Sequence, residues 1–160
     1  MNPIATPITG ENSNLIESQD IRPEIIETLN DFYLAFNQRD LTLMQKNWLN
    51  DSTISMSNPL GGIKRGWDEI KEVYERIFLG NANVYVEFYD FTVINLENGF
   101  CAVGRERGYI ELSGKRMDLA IRTSRIYQFV TNRYLQIHHH GSIENPLLLS
   151  EYQELIKKGQ

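Results

Sequence analysis

Apolar residues recur at helical spacing from Pro23 onward: Ile25, Ile26, Leu29, Phe32, Tyr33 and Phe36. The spacing predicts an amphipathic helix with Pro23 in its first turn, where a missing N–H costs nothing. Asp40 then stands where a cap is needed for a shorter helix that buries Leu41, Met44, Trp48 and Leu49. Thr53 to Ser57 is a short β-prone piece, stopped by Asn58, Pro59 and the Gly61-Gly62 pair. A third helix is predicted from about Trp67, with Ile70, Val73, Tyr74, Ile77 and Phe78 inward and Gly80 ending it.

After Gly80 the period changes from helix to strand. Val84–Ile94, Phe100–Leu112, Arg116–Val130 and Tyr134–Ile143 are rich in β-branched and aromatic residues. Turn chemistry separates them at Glu97-Asn98-Gly99, Ser113-Gly114-Lys115 and Thr131-Asn132-Arg133. Helices first and an antiparallel meander afterwards predict an α+β domain with helices on one sheet face. Pro146 ends the last strand, and residues 147–160 are expected to form a C-terminal helical extension. Residues 1–20 show no apolar period and are expected to be a flexible N-terminal arm, leaving residues 21–146 as the domain.

The chain is 160 residues with a net charge of −5, which fits one acidic domain with one core. An acidic balance offers no footprint for nucleic acid, and no apolar run is long enough to span a membrane. The start lacks the charged and apolar stretches of a secretory signal, so a cytoplasmic location is expected. Cys101 is the only cysteine, which excludes an internal disulfide and a cysteine zinc cluster.

Candidate chemistry concentrates on the last strands. Met117, Leu119, Ile121, Thr123, Arg125, Tyr127 and Phe129 share one face by alternation. Arg125 is the charged exception, and burial requires a partner for it. That partner is either an anionic ligand or a carboxylate such as Glu106, Glu87 or Asp118. On the preceding strand Arg105 and Arg107 share a face with Cys101, Val103 and Tyr109. In the run His138-His139-His140 the outer two share a face. Two histidines alone make an incomplete metal site, so no metal is expected. If Ile137 faces the core, His139 points into the same space and suits a general acid or base. Ile110, Ile126 and Val130 are read onto the outer sheet face, where they predict a homodimer.

Phe36-Asn37-Gln38-Arg39-Asp40-Leu41, then Ser57-Asn58-Pro59 with Gly66-Trp67, resemble the nuclear transport factor 2-like superfamily. Ser124-Arg125-Ile126-Tyr127 and Gln136-Ile137-His138-His139-His140-Gly141-Ser142 resemble the closing hairpin of its SnoaL-like branch. They also resemble the association domain of calcium/calmodulin-dependent protein kinase II. The resemblance implies a cone: three N-terminal helices on a strongly curved antiparallel sheet, with one internal pocket. The association domain's pocket arginines match Arg125 and Arg105, and a third falls at Gly141. The ketosteroid isomerases of the superfamily carry a catalytic aspartate where this chain has Asn58 and a tyrosine where it has Phe32. Steroid isomerisation by that route is therefore not expected, and Asn58 and Tyr33 are expected to line the pocket mouth.

The expected function is binding of a small apolar ligand with an acidic or carbonyl oxygen, without a cofactor. Arg125 and Arg105 would hold the oxygen; Asn58, Tyr33, His138 and His140 would orient the rest, with His139 as the catalytic candidate. A cofactor-independent isomerase, cyclase or dehydratase and a non-catalytic oligomerisation module are the alternatives, since the fold alone does not choose.

Overall fold

A computed structural model describes residues 2–159. Met1 of the expected arm and Gln160 of the expected extension lie outside them. Helix α1 (Pro23–Asn37) opens on Pro23 and buries Ile25, Ile26, Leu29, Phe32 and Tyr33. Asp40 caps α2 (Leu41–Asn47) by accepting from the Leu43 amide at 2.9 Å. Two short strands follow, β1 (Ser55–Ser57) and β2 (Lys64–Arg65), joined by the Asn58–Ile63 loop. Helix α3 (Gly66–Leu79) turns Trp67, Ile70, Tyr74 and Phe78 inward and stops at Gly80.

The long strands are β3 (Asn83–Leu96), β4 (Gly99–Leu112), β5 (Lys115–Val130) and β6 (Arg133–Ser142). Their turns fall where turn chemistry placed them. Ser113-Gly114 and Thr131-Asn132 have positive φ at both central positions, the geometry that matches the twist of paired strands. One sheet holds six strands in the order β2-β1-β6-β5-β4-β3. It is mixed rather than wholly antiparallel, because β1 runs parallel to β6, setting Ser55, Met56 and Ser57 beside His138, His139 and His140.

Two irregularities bend the sheet. Between Tyr89 and Thr92 the β3–β4 register shifts, with Asp90 at φ 49°. Phe88 and Phe91, which strict alternation would place on opposite faces, are both fully buried there. They fit because β4 has Gly104 beneath them: a Cβ at that position would lie 2.6 Å from Phe91 Cβ. Between Ile126 and Tyr127 the β5–β6 register shifts by one residue, leaving Ile137 unpaired. Such bulges bend a strand and re-aim its side chains.

Ile4, Ile8 and Ile16 dock on the domain, where a flexible arm was expected. Ile4 and Phe91 exchange backbone hydrogen bonds of 2.8 and 3.2 Å, and Ile8 does so with Phe88 at 2.7 and 3.0 Å. Ile8 is wholly buried and Ile16 nearly so. Asn30 and Asn37 of α1 donate to the carbonyls of Gly10 and Thr9. The segment covers the β3 edge at its bulge, where unpaired backbone groups would otherwise meet water. Single well-placed isoleucines achieve this without any period. A last helix, α4 (Pro146–Gly159), returns across the domain.

Candidate functional site

The site grows from the inner faces of β4, β5 and β6. Met117, Leu119, Ile121, Thr123, Arg125 and Tyr127 of β5 are all buried, while Phe129 emerges half exposed near the strand end. Arg125 is 1% exposed. Its Nη2 donates to Glu106 Oε1 at 2.8 Å, Nη1 to Gln136 Oε1 at 2.8 Å, and Nε to Tyr33 Oη at 3.2 Å. The guanidinium also lies 3.6 Å from the centre of the Phe32 ring. Desolvation alone would penalise the charged guanidinium, but Tyr33 and Glu106 more than reverse this and hold its pKa above the ordinary arginine value. Tyr33 Oη donates onward to Glu106 Oε1 at 2.8 Å, and burial keeps that phenol neutral. The carboxylate alternative therefore describes Arg125: it forms a buried ion pair, not a free anion receptor.

The network continues outward. Gln136 and Tyr127 both donate to Asn47 Oδ1, at 3.3 and 2.8 Å, which ties α2 to the sheet. Glu106 is one of the carboxylates that the sequence offered as the arginine's partner; Gln136 is a partner that it did not single out.

A cavity of about 90 Å³ opens on the other side of this cluster. Its wall is mostly apolar, with Phe32, Tyr74, Ile110 and Ile121 among the lining residues. Arg125, Glu106, Asn58 and His139 supply polar groups at its surface. His139 is 9% exposed, and neither ring nitrogen has a hydrogen-bond partner among the described residues. Burial, and then the Arg125 charge, push its pKa well below the usual histidine value. It is a neutral imidazole at pH 7, with one donor and one acceptor nitrogen. The ring lies over Gly141, where an added Cβ would come within 3.4 Å of Nε2.

The other expected ligands are placed elsewhere. Arg105 is on the outer face, half exposed, with Asp90 at 3.2 Å and Glu144 at 4.0 Å. Alternation explains this: Glu106 is the inward residue of β4, together with Phe100, Ala102 and Ile110. Ile110, expected outside, is thus 1% exposed and inside. Tyr33 is fully buried behind the ion pair, and Phe32, one helical step away, lines the cavity instead. His138 pairs with Ser55 Oγ through Nδ1 at 2.7 Å, and His140 is exposed on the outer face. Neither lines the cavity. Asn58 does, although its Oδ1 is committed to the Leu60 amide at 3.0 Å.

The SnoaL-like domain family model matches residues 25–146. The chain belongs to the SnoaL-like domain family. No curated protein matches it in sequence. Among solved structures, a Salmonella enterica protein of the nuclear transport factor 2-like superfamily superposes with a TM-score of 0.68 at 19% identity, covering 74% of this chain and 87% of its own. A Xanthomonas campestris protein named for the calcium/calmodulin-dependent protein kinase II association domain gives a TM-score of 0.69 at 14% identity, over 82% and 94%. A Streptomyces avermitilis protein named as a dehydratase of the NTF2-like family gives 0.65 at 16% identity, over 74% and 93%. At these identities the likeness establishes the nuclear transport factor 2-like fold that the sequence suggested. Among the described residues no helix is long and apolar enough to cross a membrane.

Proposed function

We propose that this SnoaL-like chain binds a small, largely apolar molecule in the cone pocket and holds its carbonyl or hydroxyl oxygen through His139. One observation carries the reading: both nitrogens of a buried imidazole lack partners among the described residues at the wall of an apolar cavity. Leaving such a group unsatisfied costs free energy that a ligand oxygen would recover. A carbonyl or hydroxyl suits the site better than an acid, because Glu106 already neutralises Arg125. Two probes of nearly the same shape test this: cyclohexanone, and methylenecyclohexane, which lacks the oxygen. By the net value of one hydrogen bond, the ketone is expected to bind about five- to tenfold tighter and to shift the His139 ring-nitrogen resonances. Equal affinities with an undisturbed His139 would refute the reading.

The neutral state of His139 favours a second reading, in which it accepts a proton from a carbon beside the ligand carbonyl. Turnover of a bound ketone that His139→Ala abolishes would select an enzyme over a binding protein. For the expected homodimer, support comes from Ile94, Leu96 and Val103, which stand about half exposed on the outer sheet face. Sedimentation as a monomer at micromolar concentration would refute that pairing.

A further inference from the structure

Helix α4 begins at residue 146, where the family match ends. It is an addition to the shared domain, and it crosses the pocket. Tyr152 and Ile156 are part of the cavity wall. Leu148, Tyr152, Leu155 and Ile156 form the stripe that packs on the core, at the spacing of one helix face. Asn145 caps the helix by accepting from the Leu147 and Leu148 amides at 2.9 and 3.2 Å. The helix therefore has its own terminus, separated from β6 by a short link. Among the described residues, a single hydrogen bond joins the body of α4 to the rest of the domain: Gln153 Nε2 to the Pro59 carbonyl, at 3.2 Å. By contrast, β4 and β5 are paired along their whole length. Elements held by few contacts open locally long before the domain unfolds.

We infer that α4 is a lid: it completes the pocket with Tyr152 and Ile156 when closed, and its release is the route by which a ligand reaches His139. The closed lid adds a further polar group to the cavity wall. Burial, and then the Glu106 charge, push the Tyr152 pKa up to about 12, so its hydroxyl is a neutral donor on the pocket wall. The inference rests on the ligand reading above for its purpose, but the motion is testable without any ligand.

Diethyl pyrocarbonate acylates unprotonated imidazole, so its reaction with His139 reports access to the cavity. His140, exposed on the outer face, is the internal control. In a Cys101→Ser background, Pro59→Cys and Gln153→Cys are bridged by a short bis-maleimide, and the same variant without the bridge is the reference. Bridging is expected to slow His139 acylation about tenfold or more, as mass spectrometry of peptides would read, with His140 unchanged. An unchanged His139 rate would overturn the lid by placing the entry elsewhere. A His139 that stays unmodified in the unbridged protein, while His140 reacts, would overturn it by showing that α4 does not open. Cyclohexanone added to the unbridged protein separates the two claims. If it fails to protect His139 while bridging still does, the ligand reading falls and the lid stands.

Discussion

The inner and outer faces of β4 and β5 carry the same chemical groups to opposite effect. Inside, Arg125 and Glu106 are both more than nine-tenths buried and share one 2.8 Å contact. Outside, Arg105 meets Asp90 and Glu144 with every partner about half exposed or more. Water does the outer residues' work, so their pairing contributes little. The inner pair has no water to fall back on, and each member is tolerable only because the other is present.

Breaking the inner pair from one side is the sharpest way to test that contrast. Arg125→Met leaves Glu106 buried and unpaired and is expected to cost about 3–5 kcal/mol in denaturant unfolding. An arginine paired only with a ligand, the other alternative left open by the sequence, would be partly solvated and its loss would cost little. Adding Glu106→Leu should return much of the loss; a double variant as unstable as the single would mean the faces differ in packing, not charge. At the sheet edge, Ile8→Ala removes a wholly buried side chain and is expected to cost about 2–4 kcal/mol. A negligible change there would restore the free arm.

His139 gives a smaller, pH-dependent effect. Its folded pKa lies below the unfolded value, so the unfolded chain takes up a proton first as pH falls. Stability should thus be unaffected by this group above about pH 7 and decline as pH falls below about 6.5. His138 is also depressed by burial, so the comparison is with His139→Phe, which should lose only the His139 share of the decline. Identical pH profiles would place solvent in the cavity. Last, Arg105→Ala is expected to change stability by less than about 1 kcal/mol, and by less still at high salt. A larger loss would show that the outer face is covered, for instance by a second copy.

Much of this arrangement was legible in residue patterns. Helix periods, the Asp40 cap and the hairpin turns depend on local chemistry, and local chemistry is written in adjacent residues. Arg125 stood out because alternation along β5 is clean. On β4 it is not clean: Cys101, Val103 and Tyr109 on one face look as apolar as Phe100, Ala102 and Ile110 on the other. With both faces similar, nothing local fixes the parity, and the inward charge was assigned one residue off. On β6 the bulge at Ile137 brings both Gln136 and His139 inward, three residues apart, which no strict alternation produces. The docking of Ile4 and Ile8 depends on a bulge in a strand some eighty residues away. Tyr152 belongs to a helix that was anticipated, but its place in the pocket follows from where that helix lands.

The parallel pairing of β1 with β6 has a consequence for how the molecule is made. Ser55 and His138 touch across 83 residues of chain, whereas β3, β4 and β5 close through two-residue turns. Ordering so long an intervening segment is slow compared with zipping hairpins. The meander can form as soon as its strands leave the ribosome, but the wall that bears His139 must wait for β6 and then for α4. The cavity is therefore among the last parts of the protein to exist, and a chain halted after β5 would expose the apolar interior that those final residues are there to enclose.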